Sequence, residues 1–214
     1  MGEIKLQSSA GCEFGGSLIE WGVAAAPFPG ESSIGDSYLV KPFKNGVLIA
    51  VSDGLGHGRE AAEASEAAMA VLGAHAEESV ISLIRRCHQA LTRTRGVALT
   101  LASFNSCDQT MTWIGVGNVE SVLLRPDYTY PLDKEDLLLR PGVVGYQLPP
   151  LRASILSVSS GDLLVIATDG VRADFVKGLF LKDPPQKSAE TILSHCKKGN
   201  DDALVFAARC FGNA

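Results

Sequence analysis

The sequence predicts an α+β protein built on mainly antiparallel sheets, and two observations carry that expectation. Short runs rich in β-branched and apolar residues recur along the chain. They lie on both sides of one pair of consecutive helical segments, where a parallel doubly wound sheet would alternate strand and helix strictly.

In chain order, strands are expected over Leu18 to Ala24, Tyr38 to Val40 and Gly46 to Ser52. Two helices follow. Arg59 to His75 is dense in Ala, Glu and Met, which favour helix. Glu77 to Arg93 sets Val80, Leu83, Ile84, Cys87 and Leu91 on one amphipathic face. Further strands are expected over Val97 to Phe104, Thr110 to Gly115, Ser121 to Arg125, Ala153 to Val158, Leu163 to Thr168 and Ala203 to Ala208. The stretch MTWIGVGNVESVLLR reads as a hairpin closed by a tight Gly/Asn turn. Ser188 to Lys197 is expected to form a shorter third helix, and the Pro/Gly clusters read as loops within one domain spanning 1–214.

Composition excludes several classes of function. Of 214 residues, 46% are hydrophobic and 20% charged, the balance of a globular protein with a sizeable core. Net charge is −5 and the basic residues form no stripe, so nucleic acid is not an expected partner. Five scattered cysteines (Cys12, Cys87, Cys107, Cys196 and Cys210) offer no C-x-x-C pair and read as reduced thiols. MGEIKLQSS lacks a signal-peptide pattern and no apolar run is long enough to span a bilayer. A cytoplasmic protein without membrane partners is therefore expected.

The chemistry is suggested by aspartates that end strands. IGDSYLV (Asp36), LIAVSDGLGHG (Asp53), LLVIATDGV (Asp169) and GNDDALVFAA (Asp201, Asp202) share one pattern, a carboxylate at the edge of an apolar run, usually beside glycine. A single Asp-Gly after a strand is ordinarily a turn. Repetition of the pattern changes the reading, because a carboxylate at the end of a core strand is costly unless paired or coordinated. No arginine occurs before Arg59 to pair with the early ones. Aspartates converging from distant segments can instead hold hard divalent cations, and Gly54 would let its carbonyl approach an ion. Two such ions would lower the pKa of a bound water for in-line attack on phosphorus. The residues thus point to metal-dependent phosphate-ester hydrolysis with no protein nucleophile.

His57 admits two readings, a proton donor to the leaving group or, more often for a loop histidine, a structural hydrogen bond. Asn118 either contacts phosphate or, as preferred, closes the hairpin turn. GLGHGRE lacks both the spacing of a dinucleotide-binding loop and the Lys-Ser/Thr of a P-loop.

The order of these motifs resembles the PPM/PP2C family of metal-dependent serine/threonine phosphatases, and more narrowly its bacterial SpoIIE-type branch, from about Ile34 to Val205. The resemblance implies a four-layer α-β-β-α sandwich, with two mainly antiparallel sheets face to face and helix pairs outside. It implies two divalent cations, Mn²⁺ or Mg²⁺, bridged by Asp53 with the Gly54 carbonyl as a further ligand. Asp169 and Asp201 would share one ion, Asp36 would act largely through metal-bound water, and Asp202 falls where members vary. Leu204 stands where the branch commonly has threonine. With no upstream arginine, the metals would carry most of the phosphate's charge. The chain looks most like the stand-alone members that remove phosphate from serine or threonine on STAS-domain proteins of the stressosome, resetting a stress or signalling pathway. An anti-anti-sigma factor as substrate, and a phosphatase fold reduced to a binding module, remain open alternatives. The segment Arg125 to Gly145, with Tyr128, Tyr130 and charges from Asp133 to Arg140, reads either as a substrate-facing loop or as plain solvated loop.

Overall fold

A computed structural model describes residues 18–31, 33–126, 134–177 and 179–211. Ten strands and three helices follow one another as β1 (Ile19–Ala26), β2 (Asp36–Phe43), β3 (Gly46–Gly54), α1 (Arg59–Ala74), α2 (Val80–Ala90), β4 (Val97–Asn105), β5 (Thr110–Val116), β6 (Glu120–Leu124), β7 (Lys134–Asp136), β8 (Ser154–Ser157), β9 (Leu163–Ala167), α3 (Pro185–Cys196) and β10 (Ala203–Cys210). They form two five-stranded sheets, ordered β1-β10-β9-β6-β7 and β2-β3-β4-β5-β8. Every pairing between named strands is antiparallel.

Three apolar layers hold the stack together. Val47, Ile49 and Val51 of β3 face Leu164, Ile166 and Phe206 of the other sheet across the central core, with Trp113 and Met111. Leu48 and Ala50, the alternate residues of β3, face Leu72, Leu83, Ile84 and Leu91 of the α1–α2 layer. Because both faces of β3 are covered, its apolar run is continuous rather than alternating. On the far side, Val165, Val205 and Ala207 pack against Ala189, Ile192 and Leu193 of α3. The expected α-β-β-α sandwich is the observed one.

Three expectations need correction. The Gly/Asn stretch after β5 is not a hairpin: β5 pairs with β4 and β8, while β6 pairs with β9 and β7 in the opposite sheet. Gly117 makes the switch possible with φ +98°, and a Cβ there would sit 2.5 Å from that of Ala98. Val119, fully buried, then anchors the crossover, its carbonyl accepting from Thr100 Oγ1 at 2.8 Å. Burial of Val119 between the sheets thus outweighs the local turn preference. Secondly, the first sheet is covered by α3 alone among the described residues, not by a helix pair. Turns over 173–177 and Pro184 stand before α3, whose first residue is Pro185, and Phe175, Val176, Leu179 and Leu181 pack in without forming a helix. Thirdly, Lys134–Asp136, expected as loop, is an exposed edge strand.

Helix α2 is shorter than the periodicity suggests. Ser79 caps it by accepting from Ser82 N, which fixes its start at Val80. Among the described residues no helix is long and apolar enough to cross a membrane. Cys87, Cys107, Cys196 and Cys210 are free thiols, and burial pushes Cys87 and Cys210 up to about 12. Cys12, Tyr128, Tyr130 and Asp133 lie outside the described residues.

Candidate active site

The aspartates that end strands meet at one end of the sandwich, because antiparallel pairing brings those ends together. Asp36 opens β2 and lies directly opposite Asp53, near the end of β3. Asp169 follows β9, and Asp201 and Asp202 precede β10, which is paired with β9. The two sheets therefore contribute two groups of carboxylates that face each other. Asp36 and Asp202 are buried, Asp53, Asp169 and Asp201 half-buried.

Each carboxylate is oriented by specific partners. Thr168 Oγ1 donates to Asp36 Oδ2 at 2.7 Å across the sheets, while accepting from Leu204 N at 2.8 Å. The Leu204 side chain is packed in the central core, and its backbone supplies this contact. Asn118 Nδ2 donates to Asp169 Oδ2 at 2.7 Å. Asp201 Oδ1 accepts from Asp202 N at 2.9 Å. Asp202 accepts two backbone amides, half-buried Phe28 N at 2.7 Å and buried Gly35 N at 2.8 Å, and so ties down both ends of the connection from β1 to β2.

Gly54 lies where α1 presses on β3. A Cβ at this position would lie well inside van der Waals contact with the Ala61 carbonyl. Its own carbonyl points toward Gly35, 3.6 Å from where a Cβ on that residue would be, on the side that also holds Asp202 Oδ2. His57, further along the same loop, stacks on Phe28 with ring centroids 4.8 Å apart and meets Glu31 Oε1 through Nδ1 at 3.3 Å. Its hydrogen bond joins two loops beside the carboxylates, the structural arrangement of the two readings. Asn118, by contrast, sits at the crossover rather than in a hairpin turn and touches Asp169.

The electrostatics follow from this crowding. Burial, and then the charge of Asp53, holds the Asp36 carboxyl well above its usual range, with Asp202 and Asp169 adding to the effect against the Thr168 hydrogen bond. Burial and the charges of Asp169, Asp201 and Asp202 push Asp53 up to about 7. Asp169 is raised by burial and Asp201, against the pull of Lys198 and the Asn118 hydrogen bond. Among the described residues, no three His, Cys, Asp or Glu groups gather at the spacing of a ready-made metal cage. The donor chemistry nevertheless fits hard divalent cations. Every candidate ligand is an oxygen, and a cation would offset the mutual repulsion that raises Asp36, Asp53 and Asp169.

Lys198 is the feature that sequence reasoning missed. Its Nζ donates to the Asp169 carbonyl at 2.6 Å, and its backbone N–H donates to Gly170 O at 2.8 Å. A lysine in a polar connection carries no local signal; only the fold sets it beside Asp169. The Arg125 to Gly145 segment divides between roles. Arg125 Nη1 pairs with buried Asp162 at 2.6 Å, Lys134–Asp136 forms β7, and Gly145 N donates to His88 Nδ1 on α2 at 3.0 Å.

Comparison with known proteins agrees with this architecture. A curated relative, the phosphoserine phosphatase RsbX of Bacillus subtilis (strain 168), is 27% identical over 179 residues, covering 83% of this chain and 87% of its own. A chain solved in work on the bacterial stressosome as "a modular system that has been adapted to control secondary messenger signaling" is 28% identical, with TM-score 0.80 over 89% of this chain and 99% of that one. RsbX crystallised in complex with magnesium superposes with TM-score 0.80 at 24% identity, over 97% of this chain and 100% of its own. The model of the stage II sporulation protein E family matches residues 44–211. The chain belongs to the SpoIIE family of the PP2C-like phosphatase fold.

Proposed function

We propose that the protein is a metal-dependent phosphoserine/phosphothreonine protein phosphatase acting on phosphorylated STAS-domain proteins of a stressosome. The observation that supports this best is the meeting of Asp36 and Asp53 from one sheet with Asp169, Asp201 and Asp202 from the other, without enough positive charge to neutralise them. Similarity to RsbX and to the stressosome chain supports the choice of substrate.

In this reading Asp53, Asp169, Asp201 and the Gly54 carbonyl would hold two divalent cations, Mn²⁺ or Mg²⁺, and Asp36 would act largely through water. When bound, the cations supply Lewis acidity, neutralising phosphoryl charge and acidifying water for attack. The residues themselves do the positioning. Thr168 fixes the Asp36 carboxyl, Asn118 fixes that of Asp169, and Asp202 holds the backbone at Phe28 and Gly35. Water adds to phosphorus through its oxygen while the bond to the seryl or threonyl oxygen breaks, and one proton of that water ends on the departing oxygen.

The test is hydrolysis of a generic phosphate ester and of a phosphorylated STAS-domain protein with Mn²⁺, Mg²⁺ or EDTA, beside Asp169→Asn. Turnover that needs a divalent cation and falls at least 100-fold in the folded variant is expected. A folded parent that hydrolyses neither substrate with either metal would sink the reading in favour of a binding module. Hydrolysis of the generic ester alone would overturn only the substrate.

A further inference from the structure

We propose that Lys198 binds the phosphoryl group of the substrate, an inference that rests on the phosphatase reading above. Among the described residues, Lys198 is the one positive charge acting on Asp36, Asp53 or Asp169. Its place is built by the backbone. Val171 and Lys197 form a β-bridge, Arg172 N donates to Cys196 O at 2.9 Å, and Lys198 N donates to Gly170 O at 2.8 Å. The end of α3 is thereby fastened to the turn after Asp169, and the ammonium is delivered to the site's rim. Three arginines toward this end are engaged elsewhere. Arg172 Nη2 donates to His195 O and its Nε faces Asp174, Arg95 pairs with Glu60, and Arg59 pairs with Glu63.

The partner Lys198 holds is as informative as its position. Its Nζ donates to a main-chain carbonyl, that of Asp169, and the residue is exposed. A phosphomonoester oxygen carries far more charge than a peptide carbonyl and makes the stronger, charge-assisted bond with an ammonium. Exchange of the carbonyl for phosphate would therefore give the ammonium a stronger partner. Asn118 reaches Asp169 through Oδ2, so two donors converge on this one residue from different parts of the chain. With cations bound, the five carboxylates are largely offset, and an ammonium at the rim adds a further positive charge that steers and holds a dianionic substrate.

The experiment compares parent, Lys198→Gln and Lys198→Arg as full chains with Mn²⁺. It reads KM and kcat on a phosphorylated serine peptide, inhibition by inorganic phosphate, and Mn²⁺ affinity by calorimetry. Lys198→Gln is expected to raise KM and the phosphate inhibition constant about tenfold, kcat changing less, and Lys198→Arg to restore most of the affinity. Mn²⁺ affinity should stay the same or tighten, because the lost charge had repelled the ion. Unchanged phosphate affinity in an active Lys198→Gln variant would overturn the inference and leave the phosphatase reading standing. So would parallel loss of Mn²⁺ affinity and thermal stability that Lys198→Arg cannot repair. A parent that binds Mn²⁺ but neither hydrolyses ester nor binds phosphate would overturn both.

Discussion

At the scale of single residues, the buried carboxylates work against the fold that carries them. Asp53 titrates at about 7 in the native protein, against an ordinary carboxylate value of 3.8. Asp36 and Asp169 shift in the same direction. A raised carboxyl leaves the native state holding protons that the unfolded chain has lost, so stability falls as pH rises. For Asp53 the favourable contribution is whole below about pH 3.8 and is lost by the time pH has passed about 7. The metal-free protein should therefore melt at a lower temperature at pH 8 than at pH 5.5. Asp53→Asn should flatten that slope and melt above the parent at pH 8, by several degrees for a change on the order of 1–3 kcal/mol. Thermal melts in EDTA across this range check it; a variant melting below the parent at pH 8 would contradict the assigned repulsion. Asp202 has the opposite character, since its two oxygens accept the Phe28 and Gly35 amides. An asparagine keeps one acceptor and turns a donor toward the other amide. Asp202→Asn should cost about 1–3 kcal/mol by urea unfolding and raise proteolysis within the 27–35 loop.

Among the elements, the junction of β3 and α1 is set by close packing. Gly54→Ala would drive a methyl group into the Ala61 carbonyl, in the first turn of α1. Backbone cannot rotate away as a side chain can, so the helix start must shift. A loss of about 1–3 kcal/mol in the urea midpoint is expected, together with weakened Mn²⁺ binding; unchanged values for both would show that the junction yields freely. Much of this was legible in the sequence. Val47 to Val51 is buried at every position, so a continuous apolar run marked β3 and Asp53 stood out at its end. The carboxylates were readable as a group because each borders such a run. The crossover after β5 was not, because Gly117-Asn118 has the local chemistry of a hairpin turn and only the burial of Val119 between sheets decides otherwise. Nor was β7, whose Lys134, Glu135 and Asp136 are all exposed and carry no apolar alternation. Lys198 and the loop clamp of Asp202 depend on partners 29 and 167–174 residues distant, a kind of information that no local pattern holds.

For the molecule as a whole, the site lies where two sheets with separate hydrogen-bond ladders come face to face. Asp36 and Asp53 belong to one sheet, Asp169, Asp201 and Asp202 to the margin of the other. Thr168 to Asp36 and Gly35 to Asp202 are direct hydrogen bonds between the two sides at this end, and the apolar core makes up most of the rest of the join. Cations held by carboxylates from both sides would add a further tie between the sheets and offset the repulsion between those carboxylates. Ligand binding to the native state stabilises it by mass action, and here the gain should be shared by both ladders. Hydrogen exchange measured at pH 7.5 with and without saturating Mn²⁺ should therefore slow together at β2–β3 and at β9–β10. Asp169→Asn should abolish the gain in both pairs, although it alters only one side. Protection confined to β2–β3, or a gain that persists in Asp169→Asn, would mean that the ions rest on one sheet and that the two-sided site is misassigned. Joint protection would support cations that rest on both sheets and complete the contact between them.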